Sequence, residues 1–240
     1  MALTPLWLAL MAAAGNLVGA IAVVYQEKRG LRAIETSLAF GAGFMLATVL
    51  VGVLPTLFAG GPGIAALFVL GGYLFVHLAH HVVVPHFHFG EETHHVTSAA
   101  AVSALLGLSL HSFFDGVAIA SGFLESTGLG VLLFLAVLLH KLPEGVAIGS
   151  VTLAGGFSPR QALTAAAALG GATVLGVLLT EIALPLRRHG LAVAAGVTLY
   201  VAASNLVPEF QAKRGWALPA AFFGGALALV LLEAGLGERG

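Results

Sequence analysis

No cysteine occurs among the 240 residues. Disulfides, thiolate metal sites and cysteine nucleophiles are therefore excluded, and the redox compartment is left unmarked. Charge is nearly as scarce: 9% of residues are Asp, Glu, Lys or Arg, against about a quarter in a soluble domain. A surface facing water on all sides cannot be built from so few. The charges present almost balance, 10 basic against 11 acidic, which excludes the basic face that a nucleic-acid partner requires. A basic n-region is also missing ahead of the first apolar stretch, Met1 to Val24. That stretch therefore reads as a helix that stays and not as a cleaved signal.

What fills the chain is apolar sequence, with 59% hydrophobic residues and a mean hydropathy of +1.02. Runs of about 20 apolar residues, each enough to cross ~30 Å of hydrocarbon as a helix, recur from end to end. Eight spans are expected, at about 3–24, 32–58, 62–84, 97–123, 128–153, 159–184, 189–209 and 214–236. The runs are continuous and do not alternate, which suits helices and not barrel strands. The expected fold is all-α, a polytopic bundle of eight transmembrane helices forming a single domain over residues 1–240. The breaks, such as "QEKRGLR" at 26–32, "PLRRHG" at 185–190 and "QAKRG" at 211–215, are too short for a second domain. Basic residues in short loops set the orientation. With both termini outside, the inner loops hold Lys28, Arg29, Arg32, Arg160, Lys213 and Arg214, and the outer side holds Arg187, Arg188 and Arg239. N-out, C-out is the orientation expected.

The longest connection, "HLAHHVVVPHFHFGEETHH" at 77–95, carries His77, His80, His81, His86, His88, His94 and His95. On the chosen orientation its His-rich loop, at about 85–96, is cytoplasmic. His77, His80 and His81 are spaced to share one helical face. Clustered imidazoles suit weak metal capture; a solvated loop that is merely His-rich is the plainer alternative.

Two stretches repeat one pattern: "HSFFDGVAIA" at 111–120 and "HKLPEGVAIG" at 140–149. Helical residues four apart share a face, so His111 projects with Asp115 from span four, and His140 with Glu144 from span five. The spans are consecutive and antiparallel, which levels Asp115 with His140 and His111 with Glu144. Two imidazoles and two carboxylates then form a patch near the midplane. An ionised carboxylate there costs at least about 2.5 kcal/mol and persists with a partner or a function. A divalent ion is such a partner, and His/carboxylate ligation suits zinc, Fe(II), Mn(II), Co(II) and Cd(II). The plainer alternative is two packing histidines paired with two carboxylates. Pro143 takes a donor from the Leu139 carbonyl, so a bend is expected in span five. Asn16, Ser204 and Asn205 are polar positions within spans that either line a pathway or bond between helices.

With these residues in view, the chain resembles the ZIP (Zrt/Irt-like) family of divalent metal transporters, in its bacterial type. Eight spans, outward termini, a His-rich loop after span three and the two motifs carry the resemblance, together with "LYVAASNLVPEF" at 199–210. It implies a metal site at His111, Asp115, His140 and Glu144, with Ser112, Lys141, Pro143 and Asn205 beside it. It also implies a homodimer, and an elevator-like movement of spans one, four, five and six against the rest. Many members hold a second metal through the residue after each motif histidine. Here those residues are Ser112 and Lys141, and a protonated lysine cannot ligate, so a single-metal site is expected. The chain departs from the family in span two, where "VGVLPTLF" lacks the histidine and acid often found around the proline. Span six offers Thr173 at mid-depth, and Glu181 only near its end.

The function expected is transport of a divalent transition-metal ion, zinc foremost and iron, manganese or cadmium after it, into the cytoplasm by alternating access. The ion is substrate, and no cofactor and no enzyme activity are expected. A short chain without appended domains fits a bacterial plasma (inner) membrane. The alternative is an intramembrane zinc-dependent hydrolase acting on lipid, in which zinc activates a water; the near-duplicate motif leaves no carboxylate over as its general base.

Overall fold

A computed structural model describes residues 3–25, 31–61, 63–82, 97–208 and 215–237. Among them every regular element is helical. Span one is α1 (Leu3–Tyr25). Span two is α2 (Leu31–Ala47), a π-helical segment (Thr48–Val53) and the short α3 (Leu54–Phe58). Then come α4 (Gly63–Val82), α5 (Ser98–Glu125), α6 (Thr127–Ala154) and α7 (Pro159–Ile182). Span seven is α8 (Leu184–Tyr200) with a second π-helical segment (Val201–Leu206), and α9 (Ala217–Gly237) closes the chain. Seven of these runs are long and apolar enough to cross a membrane, and α4 adds a shorter apolar helix. The protein is an integral membrane protein of all-α architecture.

Polar caps fix where the central helices begin. The Thr97 side chain accepts from the Ala100 amide, and Ser126 accepts from Leu129. Ser158 and Gln161 form a reciprocal capping box, with Pro159 in the first turn. A single residue, Ser126, joins α5 to α6, which forces them to run back along each other. Helix α6 ends where Gly156 takes φ +84°, the left-handed conformation that closes a helix and favours glycine.

Both π segments have the same cause. Each is followed two residues later by a proline, Pro55 or Pro208, which has no amide to give and crowds the carbonyl one turn back. The ladder above shifts by one: Leu54 N–H donates to Val49 O, and Val207 N–H to Ala202 O. The bend expected at Pro143 does not interrupt α6, which is helical throughout from Thr127 to Ala154. The break expected at 185–190 is corrected. Only Ala183 parts α7 from α8, because Pro185 sits in the first turn, where its missing N–H costs nothing. Arg187 reaches back to donate to the Glu181 carbonyl at 3.0 Å. His189, expected in a loop, is helical and stacks on Phe68 at 4.1 Å.

Packing sets one group of four helices beside two helix pairs. Helices α1, α5, α6 and α7 pack on one another, while α2 packs on α9 and α4 on α8. Within each group helices touch backbone to backbone through paired glycines. A Cβ at Gly116 would collide with the Thr173 carbonyl, and one at Gly176 with the Phe113 carbonyl. The same reciprocity joins α1 to α6 (Gly19, Gly145), α4 to α8 (Gly72, Gly196) and α2 to α9 (Gly43, Gly225). Where the pairs meet the four-helix group, the glycines do not bring backbones as close. Gly41 stands 3.6 Å from the Leu139 carbonyl by the same measure, and Gly190 faces Ser121 and Val117.

Candidate metal site

The buried polar residues of the first group converge where α5 and α6 lie side by side. His140 is set first. Its Nδ1 lies 2.8 Å from the Ala136 carbonyl one turn back, a partner that only a donor satisfies. Its Nε2 lies 3.2 Å from Asp115 Oδ2. His111, one turn before Asp115, turns Nε2 to the same oxygen at 3.6 Å, while its Nδ1 is buried with no partner. The two imidazoles lie 5.4 Å apart. His111, Asp115 and His140 are all buried, and one donor atom from each falls within 4.8 Å of the others.

Glu144 is turned elsewhere. It accepts from Ser112 Oγ at 2.7 Å and from Lys141 Nζ at 2.6 Å. The depth expected for it is right, since Ser112 adjoins His111, but its partner is Ser112 and not the imidazole. Lys141, three residues before Glu144 on α6, supplies the cation that draws the carboxylate round. The same ammonium meets Asp115 Oδ2 at 2.7 Å and Ser112 Oγ at 2.8 Å. Asn16 of α1 completes the surround, its amide nitrogen 2.6 Å from the Lys141 carbonyl and 3.2 Å from Glu144 Oε2 in the orientation that satisfies both. Asn16 was legible only as a polar position in a span.

The remaining expected positions are spread more widely. Pro143 is buried in α6 and lines a cavity of about 560 Å³ with Thr36, Ser37 and Phe40 of α2, Leu139 and Leu142 of α6, and Ala221 of α9. The cavity lies beside the site, since Leu139 and Pro143 flank His140 and Glu144 on α6. Val49, Val53, Val117, Leu129, Leu133 and Leu191 pack into a separate apolar cluster. Asn205 is half-buried in the second π segment, and Ser204 beside it bonds to Tyr73 Oη at 3.0 Å. Thr173 is buried against Gly116, with its hydroxyl donating to Leu169 O; Glu181 lies at the end of α7. His77 is exposed near the end of α4 and packs edge-on against Tyr200. His80 and His81 are helical in backbone, with side chains outside the described set, and His86, His88, His94 and His95 lie outside the described residues.

Residues 90–233 match the family model described as ZIP Zinc transporter. The chain is 34% identical over 122 residues to the human "Zinc transporter ZIP4", covering 47% of this chain and 18% of that protein. It is 32% identical over 136 residues to the human "Zinc transporter ZIP6", covering 52% and 18%. With "Zinc transporter foi" of Drosophila melanogaster the identity is 31% over 120 residues, 48% and 17%. The match therefore takes in less than a fifth of each of these relatives.

Proposed function

The chain belongs to the ZIP zinc transporter family, and on that premise we propose that it carries a divalent transition-metal ion, zinc foremost, across the membrane by alternating access. The observation that carries the reading is the cluster at the centre. One donor atom from each of His111, Asp115 and His140 lies within 4.8 Å of the others, with all three residues buried, an arrangement that a divalent cation can bridge. A histidine that ligates metal commonly donates its other ring N–H to a carbonyl, as His140 does to Ala136. Tetrahedral zinc with bonds of about 2.0–2.1 Å separates its ligands by ~3.3 Å; here Asp115 Oδ2 stands 3.6 Å from His111 and 3.2 Å from His140, and all three donor atoms lie within 4.8 Å of one another.

In this reading a single ion is held by His111, Asp115 and His140, with water in the remaining position. Three protein ligands and an open place are what zinc uses where ligands must exchange. Fe(II), Mn(II) and Cd(II) accept similar donors. Glu144, the fourth ligand expected from the motif, is held by Ser112 and Lys141 in this conformation. Alternating access draws support from the glycine-locked group of α1, α5, α6 and α7, which meets the two flanking helix pairs with less close backbone approach, and from a cavity lined by Pro143 and Leu139 next to the site. Inward transport with both termini outside rests on the loop charges, and a homodimer in a bacterial plasma membrane on the family resemblance.

The test is zinc entry into liposomes containing the intact chain, with lipid products assayed in the same vesicles. Zinc flux above that of protein-free vesicles supports a carrier. Metal-dependent lipid cleavage without flux would replace it with the hydrolase.

A further inference from the structure

Transport by three donors leaves the neighbouring lysine without a task. Burying an ammonium is costly unless it is fully paired, yet Lys141 is 0% exposed in the middle of α6. It has three hydrogens to give and meets three acceptors: Asp115 Oδ2 at 2.7 Å, Glu144 Oε2 at 2.6 Å and Ser112 Oγ at 2.8 Å. One of these bonds goes to the proposed ion site. The other two go to a second compartment, where Ser112 also donates to Glu144 and Asn16 closes the α1 side. The ammonium thus shares an oxygen with the ion site and fills the space next to it.

This arrangement sets the charge on both sides of the binding step. With neutral imidazoles, Asp115, Glu144 and Lys141 together carry one negative charge when the site is empty, and one positive charge when a divalent ion is bound. Without the lysine the empty site would hold two uncompensated carboxylates in the membrane interior, where each is costly. An ion that takes Asp115 has to displace only one of the three Nζ bonds, and the other two keep the ammonium in place.

We infer that Lys141 is a resident counter-cation that competes with the transported ion for Asp115, withdrawing onto Glu144 and Ser112 when the ion binds and returning when it leaves. The inference rests on the transport reading given above. Competition holds the affinity down, so that the ion is released. Return of the ammonium keeps the empty site compensated while the carrier resets. The place beside Glu144 is closed to a second ion.

The experiment is equilibrium zinc binding to the detergent-purified protein, paired with net uptake and zinc-for-zinc exchange in liposomes, for the intact chain and Lys141→Met. Methionine keeps an unbranched apolar stem and removes the charge. The intact chain should bind one zinc. Lys141→Met should bind at least tenfold more tightly or accept a second ion, and its net uptake should fall several-fold while exchange, which bypasses the empty carrier, persists. One zinc bound with unchanged affinity would overturn the inference. If Lys141→Met does not fold, Lys141→Met/Glu144→Gln removes the ammonium together with its second partner. That double variant should still bind a single zinc at least tenfold more tightly, and unchanged affinity would again overturn the idea. Failure of the intact chain to bind zinc would bring down the transport reading and this inference with it. Intact binding and flux with unaltered variants would remove only the role of Lys141.

Discussion

Replacing Gly145 by alanine should open the helix crossing on which the site is built. A Cβ at that position would fall on the carbonyl oxygen of Asn16 and within 2.7 Å of its carbonyl carbon and Cα. All three are backbone atoms and cannot rotate away, so α1 has to withdraw from α6. One added methyl in a packed interior costs about 1–3 kcal/mol, and collision with three backbone atoms puts this case near the top of that range. Alanine returns about 1 kcal/mol through its better helix propensity, which leaves a net loss of about 2 kcal/mol. Gly171 on α7 supplies the comparison: nothing lies within 4 Å of a Cβ there, so Gly171→Ala should gain about 0.5–1 kcal/mol. The two variants differ by about 3 kcal/mol, and at roughly 2–4 °C per kcal/mol for a chain of this size they should unfold about 6–12 °C apart. Thermal unfolding in one detergent at one heating rate reads the difference. Withdrawal of α1 should also pull the Asn16 amide from Lys141 and Glu144, lowering zinc affinity in Gly145→Ala alone. Coincident unfolding of the two variants would refute the backbone contact.

Three further outcomes are expected. Ser112→Ala leaves Glu144 Oε1 and Lys141 Nζ each one bond short; bonds to charged groups are worth about 1.5–3 kcal/mol, so thermal unfolding should occur at a lower temperature and a wild-type melting curve would contradict the network. Zinc at about 100 times its Kd should stabilise the intact protein by about 2.7 kcal/mol and leave Asp115→Asn nearly unmoved, as a melting series with and without chelator would show. Zinc uptake should fall as the ion-loading side is acidified from pH 8 to pH 5, because binding requires neutral imidazoles and an ionised carboxylate; a flat profile would count against free proton competition.

Much of the architecture was legible because each span is a continuous apolar run bounded by charge or glycine. Most span limits fall within about three residues of those expected. The exception is the start of α8, where "PLRRHG" has the composition of a loop but takes up the first turns of a helix. The π segments were not legible from hydrophobic pattern, since periodicity hardly separates α from π over six residues. The signal that would have found them is the proline two positions beyond each. Adjacency of Asp115 and His140 followed from antiparallel spans joined by a tight link. Rotation about the helix axis did not follow: neighbouring helical residues point about 100° apart, so matching depths could not decide whether Glu144 meets His111 or Ser112. The cation on the same face of α6, Lys141, decides it in favour of Ser112.

The central claim is that the transported ion passes through the cluster of His111, Asp115 and His140. Its most direct test is zinc uptake into liposomes by the intact chain, His140→Ala and Asp115→Asn, each shown to be folded by its elution profile and melting curve. The account predicts flux from the intact chain and loss of at least nine-tenths of it in both variants. Undiminished flux through either folded variant would place the pathway elsewhere.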